Sequence, residues 1–407
     1  MSFDAAPGCD MPDPLALTSD AFARAMGERS VSRSHALRGY REAYRLGLRD
    51  AVGCAVGVPE VSRVVESESP EGIVYKFLTR VPDPDRGTFA DSARRLPLAN
   101  GHAHHDGLDA ESVVIPMIGR RGVFTRTLCV SSQIGCAMGC GFCETAQMGL
   151  IRSLTPREIV AQWWNARHAR ASGLGLGVKN VVFMGMGEPL DNWDNVERAI
   201  EVLTDHNGPG VAMGNITVST VGRVDGLARF AEATRRPGWH RLRLAVSLNA
   251  PNDEVRSEIM PINRAMPMHA LRDAIVAQPR YGAKHVMMEY VLIPGVNDSR
   301  GCARDLASFV LGREPFAGPR IAAMINVIPY NPRRDSPWPA PAEGDVARFI
   351  GWVEDEGAPV RRRRTKGRDT MAACGQLGSE RIRNRRLVGP TIRGDRETSG
   401  APASPVV

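Results

Sequence analysis

Cys136, Cys140 and Cys143 fall at spacings of four and three within Gly135-Cys-Ala-Met-Gly-Cys-Gly-Phe-Cys143. Three thiolates on a glycine-dense loop can turn their sulfurs to one point, and thiolates suit Fe–S clusters, zinc or Cu(I). A 4Fe–4S cluster ordinarily takes four protein thiolates; three leave one iron open, as a catalytic site needs. Structural zinc would want a fourth ligand close by, usually as a second Cys or His pair. Cys129 is seven residues upstream and no His lies in the loop.

Further along the chain, short apolar runs end in small or polar residues. Val182-Phe-Met-Gly-Met-Gly-Glu-Pro-Leu190 supplies glycines that let a ligand approach the backbone and a carboxylate, Glu188, suited to a ligand ammonium group. Val218-Ser-Thr-Val-Gly222, Ala245-Val-Ser-Leu-Asn-Ala-Pro251 and Val327-Ile-Pro-Tyr-Asn-Pro332 have the same form. Their Ser and Asn side chains either bond a nucleoside or simply cap loops. Cys374 lies between small residues in Met371-Ala-Ala-Cys-Gly-Gln-Leu377; a lone cysteine there would ordinarily be inert.

These residues need a frame that gathers them, and the pattern supplies one. Between about 127 and 373, strands expected at Thr127–Ser131, Asn180–Met184, Asn215–Ser219, Leu242–Ser247, Val286–Leu292 and Ile321–Ile328 alternate with helical stretches. Those stretches are Thr155–Ser172, Val196–Asp205, Val224–Ala233, Leu271–Ala277, Ala303–Leu311 and Asp345–Glu356. Repeated βα units imply parallel strands with right-handed crossovers. The fold class expected is α/β: a partial (β/α)6 barrel with its chemistry at the carboxyl ends of the strands.

Upstream, residues 1–14 carry three prolines and are expected to be disordered, and 15–110 to form a small α+β accessory region. Its helical part (15–48, with Arg between apolar positions) is either a basic module or a plain amphipathic helix. Val61–Val81 predicts a hairpin. An unpatterned insertion occupies about 83–108; its His102, His104 and His105 suit a solvated loop better than a metal site. The catalytic domain is placed at 111–377 and a basic, disordered tail at 378–407.

The 407 residues carry a net charge of +7, and the dense run Arg361-Arg-Arg-Arg-Thr-Lys-Gly-Arg368 would attract a polyanion or form a solvated face. No stretch approaches the roughly 18 apolar residues of a membrane helix, and the first residues lack a signal peptide's pattern. A cytoplasmic protein is expected, with reduced thiols available for metal.

Cys-x3-Cys-x2-Cys with Phe142 before the last cysteine resembles the radical S-adenosylmethionine (SAM) signature. Over about residues 111–377 the segments in order resemble the RlmN/Cfr family of radical-SAM RNA adenine methyltransferases, more on the RlmN side because of Thr145-Ala-Gln. The resemblance rests on Thr127-Leu-Cys-Val-Ser-Ser-Gln-Ile-Gly-Cys136, Gly185-Met-Gly-Glu-Pro189, Ser247-Leu-Asn-Ala-Pro-Asn-Asp253, Pro261-Ile-Asn263, Ile328-Pro-Tyr-Asn-Pro332 and Ala372-Ala-Cys-Gly-Gln376. It implies a 4Fe–4S cluster on Cys136, Cys140 and Cys143. It implies SAM contacts at Gly187, Glu188, Ser219, Ser247, Leu248, Asn249 and Asn331. It makes Cys374 the methyl acceptor, Cys129 its resolving partner through a disulfide, and Glu111 the candidate base.

In that family one SAM methylates the C-terminal cysteine. A second, cleaved reductively, yields a radical that takes hydrogen from the new methyl group, and the resulting carbon radical adds to adenine. The implied target is carbon 2 of an adenosine in 23S rRNA, with tRNA as a second RNA, and the implied electron donor is a flavodoxin or ferredoxin. Carbon 8 is the alternative within this chemistry. A protein maturase has no use for Cys374 beside Cys129, and an RNA-binding protein with a structural metal leaves Gly-Glu-Pro unexplained. The chain departs from the family at Asn249, where His is usual, and in the longer stretch Met117–Val123.

Overall fold

The computed structural model describes residues 11–82, 107–119, 122–279, 285–367 and 369–378. The histidine-containing insertion up to 106, residues 1–10 and the basic tail from 379 lie outside them.

Two helices open the described chain, α1 (Ser19–Gly27) and α2 (Arg33–Leu46), each with a side-chain N-cap, Thr18 and Ser32. Tyr40 and Tyr44 of α2 turn inward, and the Tyr44 ring meets Trp164 at 5.1 Å between centroids. α2 is a packed amphipathic helix whose exposed side carries Arg33, Arg38, Arg41 and Arg45. Residues 11–14 depart from the disorder expected of them. Tyr44 Oη donates to Pro14 O at 3.0 Å, and Asp13 pairs with Arg157 at 3.0 Å.

Next come the short pair β1 (Asp50–Ala51) and β2 (Cys54–Ala55), then β3 (Val61–Ser67), β4 (Val74–Val81), β5 (Leu108–Ile118) and β6 (Phe124–Cys129). A small hairpin, β7 (Gln133–Gly135) with β8 (Leu150–Ser153), brackets the cysteine loop. The βα succession follows: α3 (Pro156–His168), β9 (Asn180–Phe183), α4 (Trp193–Thr204), β10 (Ile216–Thr220), α5 (Val224–Arg235), β11 (Arg243–Ser247). It continues with α6 (Asp253–Ile259), α7 (Met268–Val276), β12 (Val286–Leu292), α8 (Arg300–Leu311), β13 (Ala323–Pro329), α9 (Glu343–Asp355) and β14 (Val360–Arg362). Thr155, Pro156 and Glu158 start α3 with a complete capping box.

The large sheet runs β14-β13-β12-β11-β10-β9-β6-β5-β4-β3. From β6 through β9 to β13 the neighbours are parallel, which gives the six strands of the expected partial barrel; β14 adds a short parallel edge. The hairpin β3–β4, expected in an accessory region, continues this same sheet through β5, antiparallel to β6. Alternation along the strands divides their duties. Val181, Phe183, Val218, Val246, Tyr290 and Val327 are buried among the helices. Val182, Thr217, Ser247, Glu289 and Asn326 face the hollow side.

Candidate active site

The cysteine loop is fixed by backbone contacts at both ends. Gly135, at φ +74°, opens it against β8, where any Cβ would strike Gly149 O. Cys136 N–H donates to Gly149 O at 3.0 Å and Gly141 N–H to Ile259 O at 2.9 Å. Cys136, Cys140 and Cys143 line one cavity of about 150 Å³. They surround it without closing to a triad: among the described residues no three His, Cys, Asp or Glu side chains stand at metal-holding positions. Burial pushes all three thiols up, and each of Cys136 and Cys143 raises Cys140 further. Soft donors that repel one another as anions suit a cationic cluster, whose binding would displace their protons.

The same cavity receives Gly187, Glu188, Ser219, Ser247, Asn249, Asn331 and Cys374. Gly187, at φ +99°, passes so close to Gln133 that a Cβ would lie 2.5 Å from that side chain. Gln133 Oε1 in turn accepts the Glu188 N–H at 2.9 Å. The Glu188 carboxylate accepts from Val221 N–H at 2.8 Å and Leu190 N–H at 3.1 Å, yet burial still pushes its pKa up to about 7. Its ordinary value is 4.5, so the fold favours the protonated form. That contribution to stability is complete below pH 4.5 and is lost as pH rises through 7. Urea denaturation between those pH values is expected to show this slope, and Glu188→Gln to remove it.

Two expected ligand contacts take other duties. The Leu248 side chain is fully buried in the main core and does not line the cavity; its N–H donates to Glu289 O. Asn249 reaches the cavity wall, but Oδ1 accepts Val291 N–H at 3.0 Å and Nδ2 faces Met260 Sδ. It holds φ +57°, a left-handed conformation that Asn tolerates.

Cys374 arrives on a loop pinned along its length. Gly375 O accepts Glu144 N–H at 2.7 Å, Gln376 Nε2 donates to Pro332 O at 3.1 Å, and Asn331 Nδ2 to Cys374 O at 3.4 Å. Cys129, at the end of β6, is buried, and burial first, then the Cys374 thiol, push its pKa to about 12, while the Arg363 guanidinium opposes them. The disulfide implied for the pair is absent: the described cysteines, Cys129 and Cys374 included, are free thiols.

Glu111, the candidate base, does not line the cavity. It is buried on β5, where Oε2 pairs with Lys76 Nζ at 2.8 Å and accepts Gly378 N–H at 3.0 Å. Lys76 Nζ also donates to Met371 O at 3.1 Å. The pair thus holds the Cys374 loop at both ends. Glu111→Gln leaves a buried ammonium without its carboxylate and is expected to destabilise the fold by about 3–5 kcal/mol. In urea denaturation the double variant Lys76→Met/Glu111→Gln should recover much of that loss, because no unpaired charge remains.

Three functional side chains were not legible as such. Arg363 looked like one charge in a basic run. One residue past β14, its N–H still donates to Val327 O, and its guanidinium lies 3.6 Å from Glu289 and in the electrostatic field of both Cys374 and Cys129. Glu289, bonded by Asn326 Nδ2 at 2.7 Å, lay unmarked inside an apolar strand. Arg256, fully buried, donates to Leu248 O, Val221 O and Asn263 Oδ1 and so ties the loops after β10 and β11 to the turn between α6 and α7. The Pro261-Ile-Asn263 run was its sequence trace.

Comparison with known proteins agrees with this geometry. The radical SAM superfamily matches residues 130–303. The probable dual-specificity RNA methyltransferase RlmN 1 of Protochlamydia amoebophila is 43% identical over 69% of this chain and 73% of its own length. The probable dual-specificity RNA methyltransferase RlmN of Akkermansia muciniphila is 41% identical over 77% of each chain. A crystal structure of a radical SAM methyltransferase from Sphaerobacter thermophilus superposes with a TM-score of 0.72 at 32% identity, covering 89% of this chain and 98% of that one. With the cysteine loop, the Gly-Glu-Pro strand end and Cys374 gathered at one cavity, the chain belongs to the RlmN family of the radical SAM superfamily.

Proposed function

We propose that this protein methylates a ring carbon of adenosine in RNA, carbon 2 in 23S rRNA and in tRNA, through a methyl group carried on Cys374. The observation that carries this reading is that Cys374, some 230 residues beyond Cys143 in sequence, lines the same cavity as the three loop cysteines, with Cys129 within electrostatic reach of it. The relatives' names support RNA as the substrate and a dual specificity.

Cys136, Cys140 and Cys143 would hold the 4Fe–4S cluster, which supplies the electron for reductive cleavage of SAM when bound. Glu188 would receive the SAM ammonium, with Ser219, Ser247 and Asn331 on the neighbouring walls. A positive ligand group beside Glu188 favours its ionised form and reverses the effect of burial. Glu111 is assigned to positioning the Cys374 loop.

Resolution needs a thiolate at Cys129, which burial disfavours. Arg363, held by Glu289, is the cation placed to stabilise it. The Cys129 thiolate forms an S–S bond to Cys374 Sγ as the bond from that sulfur to the RNA-linked carbon breaks; the electron pair leaves with the carbon, which takes up a proton from solvent to become the methyl group. Exchange with an external thiol then restores both cysteines.

The test is peptide mass spectrometry after anaerobic incubation of reduced, reconstituted protein with SAM. One methyl group is expected on the peptide containing Cys374 and none in Cys374→Ala. RNA methylation with no methyl on that peptide would refute the route.

A further inference from the structure

The hollow side of the sheet is larger and more cationic than one reacting base requires. A cavity of about 1350 Å³ follows it from Asn215 and His285, at the amino ends of β10 and β12, to Asn331 and Cys374. Sites for single small molecules run up to roughly 1,000 Å³, so this one has room for neighbouring nucleotides as well. Seven Arg and Lys residues line it, Arg241, Arg243 and the run Arg361–Lys366 among them, against two carboxylates, Glu71 and Glu289.

Strand register sets two of those cations on the floor of the hollow. Ser247, Glu289, Asn326 and Arg361 form one row across β11 to β14, and Arg361 Nε donates to Asn326 Oδ1 at 3.3 Å. Arg243 opens β11 four residues before Ser247, on the same face by alternation and about 13 Å lower along the strand. Arg361 Nη2 reaches into the row between, 3.7 Å from Met287 Sδ. The nearby carboxylates are already engaged: Glu289 faces Arg363 at 3.6 Å, and Glu71 faces Arg364 and Lys366 at 3.7 and 3.2 Å. Among the described residues no carboxylate stands within ion-pair distance of Arg243 or Arg361, and both are exposed. Exposed cations without counter-charges in a concave wall draw anions to it.

We infer that Arg243 and Arg361 bind phosphates of the RNA strand flanking the reacting adenosine, so that the strand lies along the hollow side while its base reaches Cys374. Cations spaced down a groove track a nucleic-acid backbone, and phosphate contacts fix its register without reading sequence. Two rows this far apart suit separate phosphates of one strand better than a single small anion. The wall is concave and continuous with Cys374, a shape that a single strand can enter and a folded acidic protein cannot. This inference rests on the RNA methyltransferase reading given above.

The test uses the full-length, cluster-loaded protein and a tRNA transcript, with affinity measured by fluorescence anisotropy across about 50–200 mM KCl. Arg243→Gln/Arg361→Gln should make the slope of log affinity against log salt shallower by about 1.4, two contacts at about 0.7 each for a single strand. KM for RNA should rise, while methylation of Cys374 by SAM stays at the wild-type rate. Arg300→Gln/Arg304→Gln removes the same charge from exposed positions on α8 and should leave the slope unchanged. An uncharged methylphosphonate linkage beside the reacting adenosine should weaken binding by wild-type protein but not by Arg243→Gln/Arg361→Gln. A wild-type slope in that variant, or an equal change in the α8 variant, overturns the inference. Unchanged RNA binding with slowed reduction by flavodoxin would make the wall a donor site and also overturn it. Failure of wild-type protein to bind either tRNA or 23S rRNA would defeat the RNA reading itself.

Discussion

Cys129→Ala is expected to trap the protein on its RNA. The variant still has Cys374 to carry the methyl-derived carbon and the three loop cysteines to hold the cluster, so chemistry proceeds until the carbon joins both sulfur and adenine. No thiol then stands beside Cys374 to form the S–S bond that releases the product. A slow-migrating, nuclease-sensitive protein–RNA band should accumulate, with turnover lost altogether. Cys374→Ala should fail earlier, with neither band nor product, because nothing accepts the methyl group. The buried position of Cys129, at the end of β6 beside Val182 and Val113, supplies a check for misfolding. A folded Cys129→Ala protein keeps its iron content and melting temperature while the band appears. Free methylated RNA from Cys129→Ala at the wild-type rate would remove Cys129 from the mechanism.

Cys140→Ala is expected to abolish iron binding and SAM cleavage together. Anaerobically reconstituted wild-type protein should hold about four iron and four sulfide per chain, as one 4Fe–4S cluster requires. Cys140 is the most enclosed of the three, raised by burial and then by Cys143 and Cys136, and its loss leaves only two thiolates in the loop. Iron assay and the visible absorbance of the cluster report this without any turnover. Stoichiometric zinc with no iron in the wild-type protein would contradict the assignment.

What the sequence made legible was the chemistry that is local in the chain. Cys136, Cys140 and Cys143 share one loop, so spacing alone joined them, while Gly187 with Glu188 ends one strand and was joined to them through the family resemblance. The parallel strands were readable for a related reason: strands buried on the helix side give apolar runs that stop where Ser219, Ser247 and Asn331 begin. Contacts made across the sheet left no such trace. Lys76 and Glu111 lie on adjacent antiparallel strands 35 residues apart, and nothing in either segment marks the other. Arg363 differs from Arg362 and Arg364 in its partner: it meets Glu289 inside the barrel, while they meet Glu343 and Glu71. Leu248, inside a motif, follows strand alternation into the core while Ser247 turns to the cavity. The contacts of the Glu111 carboxylate with Lys76 and Gly378 were equally invisible in its local motif.

The central claim is that this cavity builds a methyl group onto an adenine ring carbon through Cys374. The most direct measurement is nucleoside mass spectrometry of unmethylated 23S rRNA and tRNA after reaction with the reconstituted enzyme, SAM and reduced flavodoxin, beside a Cys374→Ala control. The account predicts 2-methyladenosine in the wild-type reaction and none in the control. 8-Methyladenosine would move the target carbon but keep the route. Methylation on an exocyclic nitrogen, or 2-methyladenosine formed equally by Cys374→Ala, would contradict it.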